Sequence, residues 1–521
     1  MRLRRGLLAA CSVVLVTATG CTSFAETAAE GDAAAAAAAS PTEAPVDEID
    51  WTDCTTQIDE LIPDDTKGAD RDLAFDCGRT EVPIDYDEPT GDTLPLFLVR
   101  VTLGEQTDRI GSLLVNPGGP GGSGADAAIG LALSLPEGVL EQFQLVGFDP
   151  RGVGLSTAVE CIPPDVKAEM FSTDPRPTTA EEIDAAFALA DRVATGCEEE
   201  YGDALGIFNT TDTARDMDRL RQALGDEQLS YLGYSYGTTL GSTYAELFPD
   251  KVRAMVLDGA VDPDADPVAD AEGQAAGFEG AFDAFAKGCK SFRAGCPMGN
   301  NPRAYLEKLL EEAEAKPIPT DEKGDDREAT AGDVFTAVVA ALYDEDSWPQ
   351  LSQALVAARK GDAAGVFTLA DSYTGRLDDG TYSNLFDANY AINCADTAEE
   401  EQIPEDEIRA LVAEWSEKYP LFGASSATAL YNCNVWDAQR TPLPERDAEG
   451  SPPILVIGTE GDPATPLAGA VDMAEDLDNG VLLTWQGEGH TAYPKDDCVN
   501  RVVHDYLLRE EAPVDDLTCP A

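Results

Sequence analysis

The chain is organised around LSYLGYSYG, residues 229–237, where an apolar run leads into a Gly-x-Ser-x-Gly motif. A helix-like stretch follows at residues 238–248. A strand that turns this sharply into a helix needs positions without a Cβ, and the turn leaves Ser235 exposed at the helix N-terminus. The pattern predicts a nucleophile elbow; an ordinary glycine-rich turn with a solvent-facing serine is the alternative.

A serine attacks only when a base takes its proton and a third group orients that base. The chain has two histidines. His490 follows a strand-like apolar run and a loop, whereas His504 lies in a predicted terminal helix over residues 499–508. Because a loop after the last strand can reach the serine more easily than a helix can, we predict His490 as the base and His504 as a surface residue.

The orienting acid is expected in the loop after the strand before last, between serine and histidine in chain order. Asp462 fits this position, because it follows a short continuous apolar run at residues 453–457 that is typical of a parallel strand. Asp258 and Asp262 follow another predicted strand and are the main competitors. We expect those two to shape the exit into the next domain.

An oxyanion hole requires backbone N–H groups that are free of side-chain crowding. The glycine-rich loop at residues 117–124 follows a predicted strand and supplies such groups. One donor from Gly118 or Gly119 is expected to join the N–H of Tyr236. A phosphate-binding loop is the rival interpretation, but the lysine and the Ser/Thr of that motif are absent.

Five motifs together resemble those of the bacterial tripeptidyl aminopeptidases, exported α/β-hydrolases related to the prolyl iminopeptidases. They are NPGGPG at 116–121, DPRGVGLS at 149–156, GYSYG at 233–237, EGDPATP at 460–466 and GHT at 489–491. The resemblance covers about residues 50 to 521, and the combination is specific although each motif alone is not.

The resemblance implies an α/β-hydrolase fold, with a mostly parallel sheet, helices on both faces and an inserted, mainly helical cap. The family's triad matches Ser235, Asp462 and His490, and its oxyanion donors match Gly119 and Tyr236. In the prolyl iminopeptidases a histidine precedes the Gly-Gly-Pro-Gly loop. Pro117 stands there in this chain, which favours the tripeptidyl branch. This chemistry needs no metal or other cofactor.

The first 49 residues have the features of export segments. Residues 1–20 combine a basic start with an apolar stretch too short to span a bilayer, which predicts a signal peptide. Cys21 ends a lipobox-like ATGC sequence, so we expect a lipid anchor on the outer face of a bacterial membrane, with secretion as the alternative. Residues 21–49 are rich in Ala, Glu, Pro and Thr and are expected to form a flexible tether.

The cysteine count supports an oxidising compartment. Without Cys11 and Cys21, ten cysteines remain, which allows up to five disulfides. Sequence alone leaves the connectivity open, and we predict that sequential neighbours pair. The ten are Cys54, Cys77, Cys161, Cys197, Cys289, Cys296, Cys394, Cys433, Cys498 and Cys519.

The formal net charge is −63, which excludes binding to nucleic acid or to anionic lipid through electrostatics. Acidic residues are spread along the whole chain, as in a solvated shell that keeps an exported protein soluble. The alternative is a functional one, in which the acidic surface attracts the cationic N-termini of peptides.

The order of predicted elements indicates a hydrolase core interrupted by a cap. Residues 50–262 and 441–521 hold the strand-like runs, and helical apolar spacing dominates residues 263–440. A lid over the serine restricts access to a chain end, whose amine needs an acidic partner. Asp396, from the family resemblance, and Glu460, from its position, are the candidates.

The sequence therefore predicts an exported serine aminopeptidase that releases short N-terminal units through an acyl-enzyme, and the family resemblance implies that these units are tripeptides. A carboxylesterase or lipase with the same triad is the alternative. A surface lipoprotein that binds ligand without turnover is a third. The sequence leaves the oligomeric state open.

Overall fold

The structure, a computed structural model, describes residues 46–63, 66–104, 106, 109–262, 265–292, 295–320, 325–399 and 402–521. The predicted signal peptide at 1–20, the predicted lipidation site Cys21 and most of the predicted tether lie outside the described residues. Residues 46–49 of that tether are described, and Ile49 is buried against the sheet.

Ten strands form one sheet, and two further strands of two residues pair with each other. The strands are β1 (Asp50–Asp53), β2 (Leu73–Pro83), β3 (Thr93–Leu103), β4 (Gly111–Asn116), β5 (Phe143–Phe148), β6 (Leu229–Tyr234), β7 (Val252–Asp258), β8 (Ile318–Pro319), β9 (Glu328–Ala329), β10 (Ile454–Gly461), β11 (Gly480–Glu488) and β12 (Leu517–Pro520). The sheet order is β1-β2-β3-β5-β4-β6-β7-β10-β11-β12. The pairs from β1 through β3 to β5 are antiparallel, and every later pair is parallel.

The described residues form seventeen α-helices. They are α1 (Thr55–Asp59), α2 (Gly124–Ser134), α3 (Glu137–Leu140), α4 (Pro164–Ser172), α5 (Ala180–Tyr201), α6 (Thr210–Leu224), α7 (Tyr236–Leu247), α8 (Pro267–Ser291), α9 (Pro302–Ala315), α10 (Ala331–Leu342), α11 (Trp348–Ala358), α12 (Ala364–Thr374), α13 (Leu385–Asp396), α14 (Glu405–Lys418), α15 (Gly423–Ala429), α16 (Leu467–Asp476) and α17 (Asp497–Arg509). Within the described ranges, no helix is both long and apolar enough to cross a membrane.

Helices cover both faces of the sheet. Alternate side chains of a strand point to opposite faces, so Leu113 of β4 packs with α2, α3 and α17, and Leu114 packs with α6, α7 and α16. The parallel strands are apolar on both faces, as expected when helices cover both. The predicted α/β class and the mostly parallel sheet are confirmed.

The helical region between β7 and β10 has its own core. Phe282 and Phe285 of α8 pack there with Val334 and Val338 of α10, at the helical spacing seen in the sequence. Helix α5, from the loop after β5, packs on α14 and α15 through Phe187. The helical layer therefore includes residues from the segment 50–262 as well as from 263–440.

Five disulfides join sequential neighbours, as predicted. They are Cys54–Cys77, Cys161–Cys197, Cys289–Cys296, Cys394–Cys433 and Cys498–Cys519. Each bridge closes a loop of 39 residues or fewer, so each one staples a local segment of the fold.

Candidate active site

Ser235 occupies the turn between β6 and α7. Its backbone has a φ of 56°, a left-handed conformation that is strained for a residue with a side chain. A Cβ at Gly233 would lie 2.3 Å from the carbonyl O of Gly237, and one at Gly237 would lie 2.8 Å from that of Asn116. Both outer glycines are therefore required by close backbone approach, and the sharp strand-turn-helix geometry expected from the sequence is observed.

The glycine-rich loop lies directly against this elbow. A Cβ at Gly118 would meet the backbone N of Tyr236 and the Cβ of Ser235, each at 2.9 Å. The N–H of Gly118 donates to Asn116 Oδ1 at 2.9 Å and is thus already used inside the loop.

Gly119 is exposed, and no hydrogen bond from its N–H occurs within the described residues. Tyr236 is the first residue of α7, so its N–H has no acceptor inside the helix. Of the two glycines considered from sequence, Gly119 is therefore the one whose N–H has no acceptor within the described residues.

Asp462 and His490 are in direct contact. His490 Nδ1 lies 2.9 and 3.0 Å from the two carboxylate oxygens of Asp462, which leaves the other ring nitrogen, Nε2, free for a proton from a nucleophile. Burial alone would raise the pKa of Asp462. His490 and the backbone N–H groups of Thr465 and Thr491 hold that pKa below its usual value, so the carboxylate stays ionised.

The strand β7 connects the serine with the histidine loop. The carbonyl O of Asp258 accepts the N–H of Ser235 at 2.9 Å. The buried carboxylate of Asp258 accepts the N–H groups of Ala492 and Tyr493, which follow His490. A Cβ at Gly259 would lie 3.2 Å from His490 Cε1. Asp258 therefore holds the histidine loop beside the elbow, and it does not contact the imidazole nitrogen that Asp462 binds.

The helical region contributes a contact to His490 that was not predicted from the sequence. The carbonyl O of Tyr343, just after α10, accepts the N–H of His490 at 2.8 Å. The Tyr343 ring meets the His490 ring edge to face, with 5.2 Å between centroids. A contact between residues so distant in sequence leaves no local signal.

Thr465 is a second residue that sequence reasoning missed. Its Oγ1 lies 3.1 Å from Asp462 Oδ2 and 3.3 Å from His490 Nδ1. Its place three residues after Asp462 in EGDPATP was the available signal, because a hydroxyl at that spacing can reach back to a loop carboxylate.

The two acids predicted to bind a substrate amine lie in different surroundings. Asp396, at the end of α13, accepts hydrogen bonds from the N–H and Oγ1 of Thr210 at 2.9 and 2.6 Å. Burial raises the pKa of Asp396 to about 7. The hydroxyl of Tyr236 also contacts Thr210 Oγ1. Glu460 lies on β10 with its side chain exposed.

His504 lies on α17, as predicted, but it is half-buried instead of exposed. Its Nε2 lies 3.2 Å from the hydroxyl of Tyr493, and burial lowers its pKa. The apolar side of α17 packs on the sheet, and the His504 ring meets the ring of Tyr493 edge to face. Asp262 lies beyond the end of β7, with its backbone beside Gly469 of α16.

The DPRGVGLS motif is mainly a structural support. Arg151 is fully buried and forms two hydrogen bonds to Asp216, at 2.7 and 2.8 Å. Asp149 accepts hydrogen bonds from Ser123 Oγ and from the N–H of Leu155. These contacts tie the end of the glycine-rich loop to the loop after β5.

A family model of the α/β-hydrolase fold matches residues 111–497 of this chain. Among the curated proteins that are similar to the chain along most of its length, three show different named activities. The serine protease Hip1 of Mycobacterium tuberculosis (strain ATCC 25618 / H37Rv) is 36% identical over 490 residues, which cover 90% of this chain and 91% of that protein.

The other two relatives carry different activities in their names. Carboxylesterase B of the same organism is 35% identical over 462 residues, covering 85% of this chain and 86% of that protein. The tripeptidyl aminopeptidase of Streptomyces lividans is 30% identical over 491 residues, which cover 90% of this chain and 86% of that protein. The residues matched by the family model include the elbow, the acid loop and the histidine loop.

Proposed function

The chain belongs to the α/β-hydrolase family and, within it, to the tripeptidyl-aminopeptidase-like serine hydrolases, and on that premise we propose that it is an exported peptidase that removes short N-terminal units from peptides. The observation that carries the proposal is the contact of His490 with Asp462 at the sheet edge that also holds Ser235. Relatives named as a serine protease and as a tripeptidyl aminopeptidase support peptides as substrates.

In the proposed mechanism, Ser235 Oγ attacks the scissile carbonyl carbon while His490 Nε2 takes its proton. Asp462 orients the imidazole and stabilises the imidazolium. The N–H groups of Gly119 and Tyr236 stabilise the tetrahedral oxyanion.

His490 then gives its proton to the leaving amine as the peptide C–N bond breaks, and the released unit stays esterified to Ser235. A water molecule, deprotonated by His490, hydrolyses this ester and regenerates the serine hydroxyl. We propose that a free N-terminus is needed, because a carboxylate of the covered site pairs with the substrate ammonium. Asp396 and Glu460 are the candidates raised by the sequence.

The location of the protein is part of the same proposal. Five disulfides support folding in an oxidising compartment, where such bridges persist. The signal-like residues 1–20 and Cys21 support export and lipid anchoring. Cys21→Ser should move the protein from the detergent phase to the aqueous phase in a Triton X-114 partition of producing cells.

The test of the activity is a panel of peptides, each with a free and an N-acetylated N-terminus, with products identified by mass spectrometry. We expect release of short N-terminal units from the free peptides only. Ser235→Ala should abolish both this release and labelling by a fluorophosphonate probe, with the circular dichroism spectrum unchanged. Probe labelling of Ser235→Ala at the wild-type level would refute the assignment of the nucleophile.

A carboxylesterase is the second candidate, and it is favoured by the relative named carboxylesterase B. The same triad acts on an ester, whose alkoxide leaves more easily than an amine. Fast hydrolysis of simple acyl esters, with no release of N-terminal units from free peptides, would support that function.

A further inference from the structure

A groove of about 370 Å³ lies between α8, α10 and α15. We call it the α8 groove. The side chains that matter here are Asp270, Gln274 and Phe278 of α8, Phe335 and Val339 of α10, and Phe422 just before α15. Its walls are therefore mostly aromatic and aliphatic, with one carboxylate among the α8 residues.

The α8 groove adjoins the candidate active site. The ring of Phe278 lies 5.8 Å from the ring of Tyr343, and the Tyr343 ring in turn lies 5.2 Å from the ring of His490. A Cβ at Gly277 would lie 2.6 Å from the carbonyl O of Pro463 and 3.2 Å from that of Asp462. One face of α8 thus packs on the catalytic acid loop while its N-terminal half lines the groove.

Asp270 is a carboxylate without a cationic partner. Gln274 Nε2 donates to its Oδ2 at 3.1 Å. Among the described residues, no Lys or Arg forms an ion pair with Asp270. Burial and the nearby Asp262 raise its pKa. A cation in the groove would lower the pKa of Asp270 again, because it would pair with the carboxylate charge that burial and Asp262 disfavour.

The geometry of α8 sets how many residues of a bound peptide would span the distance from Asp270 to the catalytic acid loop. Asp270 precedes Gly277 by two helical turns, a rise of about 10 Å along the axis. An extended chain advances at most about 3.3 to 3.6 Å per residue, so three residues span about 10 Å. A peptide whose ammonium lies at Asp270 would reach the catalytic loop at about its third residue.

Neither acid raised by the sequence lines the α8 groove. Both carboxylate oxygens of Asp396 accept hydrogen bonds from Thr210, and Glu460 is exposed on β10. Asp270 is a partly buried carboxylate that lines the apolar groove, and Phe278 of the same groove contacts the ring of Tyr343.

We propose that the α8 groove binds the N-terminal three residues of the peptide substrate, with the α-ammonium group on Asp270 and apolar side chains against Phe278, Phe335 and Phe422. This inference rests on the proposed peptidase function and names its substrate class, apolar peptides with a free N-terminus. With the ammonium group on Asp270, the released unit would be about three residues long.

Binding to the Ser235→Ala protein tests the groove independently of turnover. The probes are leucyl-leucyl-phenylalanine amide and its N-acetyl derivative, measured by isothermal titration calorimetry. We expect the free amine to bind at least about tenfold more tightly, a difference of about 1.4 kcal/mol. Asp270→Asn should abolish that difference, because it removes the charge and keeps the shape. Glu314→Gln, an exposed acid on α9, is the matched control and should preserve it.

A second variant examines the apolar walls. Ala429 lines the groove at its exposed rim, so Ala429→Trp should fill part of the groove without disturbing the core. We expect it to weaken binding of both probes and to raise KM for peptides, and unchanged binding of both probes would contradict the groove assignment.

The outcomes separate this inference from the proposed function. If wild-type enzyme releases N-terminal units but Asp270→Asn retains the full preference for the free amine, the groove assignment is wrong and the peptidase function stands. If either Asp396→Asn or Glu460→Gln abolishes the preference while Asp270→Asn does not, the amine binds at that other acid. If wild type hydrolyses only simple esters and Ser235→Ala binds neither probe, both proposals fail.

Discussion

The carboxylate of Asp258 accepts the backbone N–H of Tyr493 at 2.7 Å, and the same carboxylate accepts the N–H of Ala492 at 3.0 Å. A residue at the end of β7 thereby holds the chain just after His490. Asp462 orients the imidazole ring from the side, and Asp258 fixes the backbone that carries it.

Removing the Asp258 carboxylate should loosen this loop. Asp258→Ala leaves two buried N–H groups without acceptors, at a cost of about 1 to 3 kcal/mol each. We expect a loss of about 2 to 6 kcal/mol in the free energy of unfolding, measured in urea, together with a lower kcat. Asp250→Ala is the control, because Asp250 is an exposed partner of Lys251 and should change neither quantity. Unchanged stability of Asp258→Ala would contradict a supporting role.

Asp396 should make stability depend on pH in a defined direction. Its folded pKa is raised to about 7 by burial, whereas an unfolded Asp titrates near 3.9. Between these values the folded state keeps a proton that the unfolded state has lost. The contribution is therefore complete below about pH 4 and declines as the pH rises through 7.

We expect the free energy of unfolding of wild type, relative to Asp396→Asn, to fall by on the order of 3 kcal/mol between pH 4 and pH 8. Urea unfolding at several pH values measures this difference. Glu314→Gln, which replaces an exposed acid, should track wild type. A difference that stays constant across this range would show that Asp396 titrates normally in the folded protein.

The two histidines should differ sharply in function. His490→Ala removes the base, and we expect kcat to fall by several orders of magnitude. His504→Ala leaves the triad intact and removes a contact with Tyr493, so kcat should stay close to the wild-type value. Steady-state kinetics on one peptide substrate decide the matter, and the reverse ranking would exclude His490 as the base.

The disulfides should differ in value according to the loops they close. In the chain-entropy description a bridge stabilises more when its loop is longer. Cys394 and Cys433 are 39 residues apart and Cys289 and Cys296 only 7, so the double Ser variants should lose about 4 and about 2 kcal/mol. Urea unfolding of both variants checks the order.

The same bridges predict the number of free thiols. Thiol titration of the purified protein under denaturing, non-reducing conditions should find none of the ten cysteines free. Two or more reactive groups would contradict the full set of bridges.

The features predicted correctly from the sequence are those encoded over short distances. The continuous apolar runs became β4, β6, β7, β10 and β11, because parallel strands buried on both faces carry that pattern. The glycines of the elbow follow from backbone approach within the motif itself. The antiparallel strands β1 and β2 and the short β12 were missed, because strands near a sheet edge have mixed composition.

The parts that escaped prediction depend on contacts between distant segments. Tyr343 meets His490 across almost 150 positions of chain, and Asp258 supports a loop that lies far beyond it in sequence. The sequence placed Asp258 only as a competitor for the role of Asp462. Asp258 and Asp462 both come at the ends of similar strands, so their sequence contexts look alike. Only the packed sheet shows that Asp462 faces the imidazole of His490 and that Asp258 faces the backbone N–H groups after it.

Gly119 should be essential for the oxyanion hole and dispensable for substrate binding. Its φ is 116°, a conformation that favours glycine, and a Cβ there would lie 3.1 Å from the backbone N atoms of Gly121 and Gly122. Gly119→Ala should therefore turn the N–H away from the oxyanion. Loss of one such donor lowers kcat by about 10²- to 10³-fold, and we expect KM to change little, because the donor acts on charge that develops in the transition state.

Gly130→Ala is the matched control for this substitution. Gly130 lies in α2, and a Cβ there meets nothing within 4 Å. The same added methyl group should therefore leave kcat unchanged and raise the free energy of unfolding by about 0.5 to 1 kcal/mol. Full kcat in a folded Gly119→Ala protein would show that the second donor comes from another residue of the loop. If kcat falls while KM stays at the wild-type value, and Gly130→Ala behaves normally, the donor is assigned to Gly119. Gly118 is not available for this role, because its N–H already donates to Asn116 Oδ1.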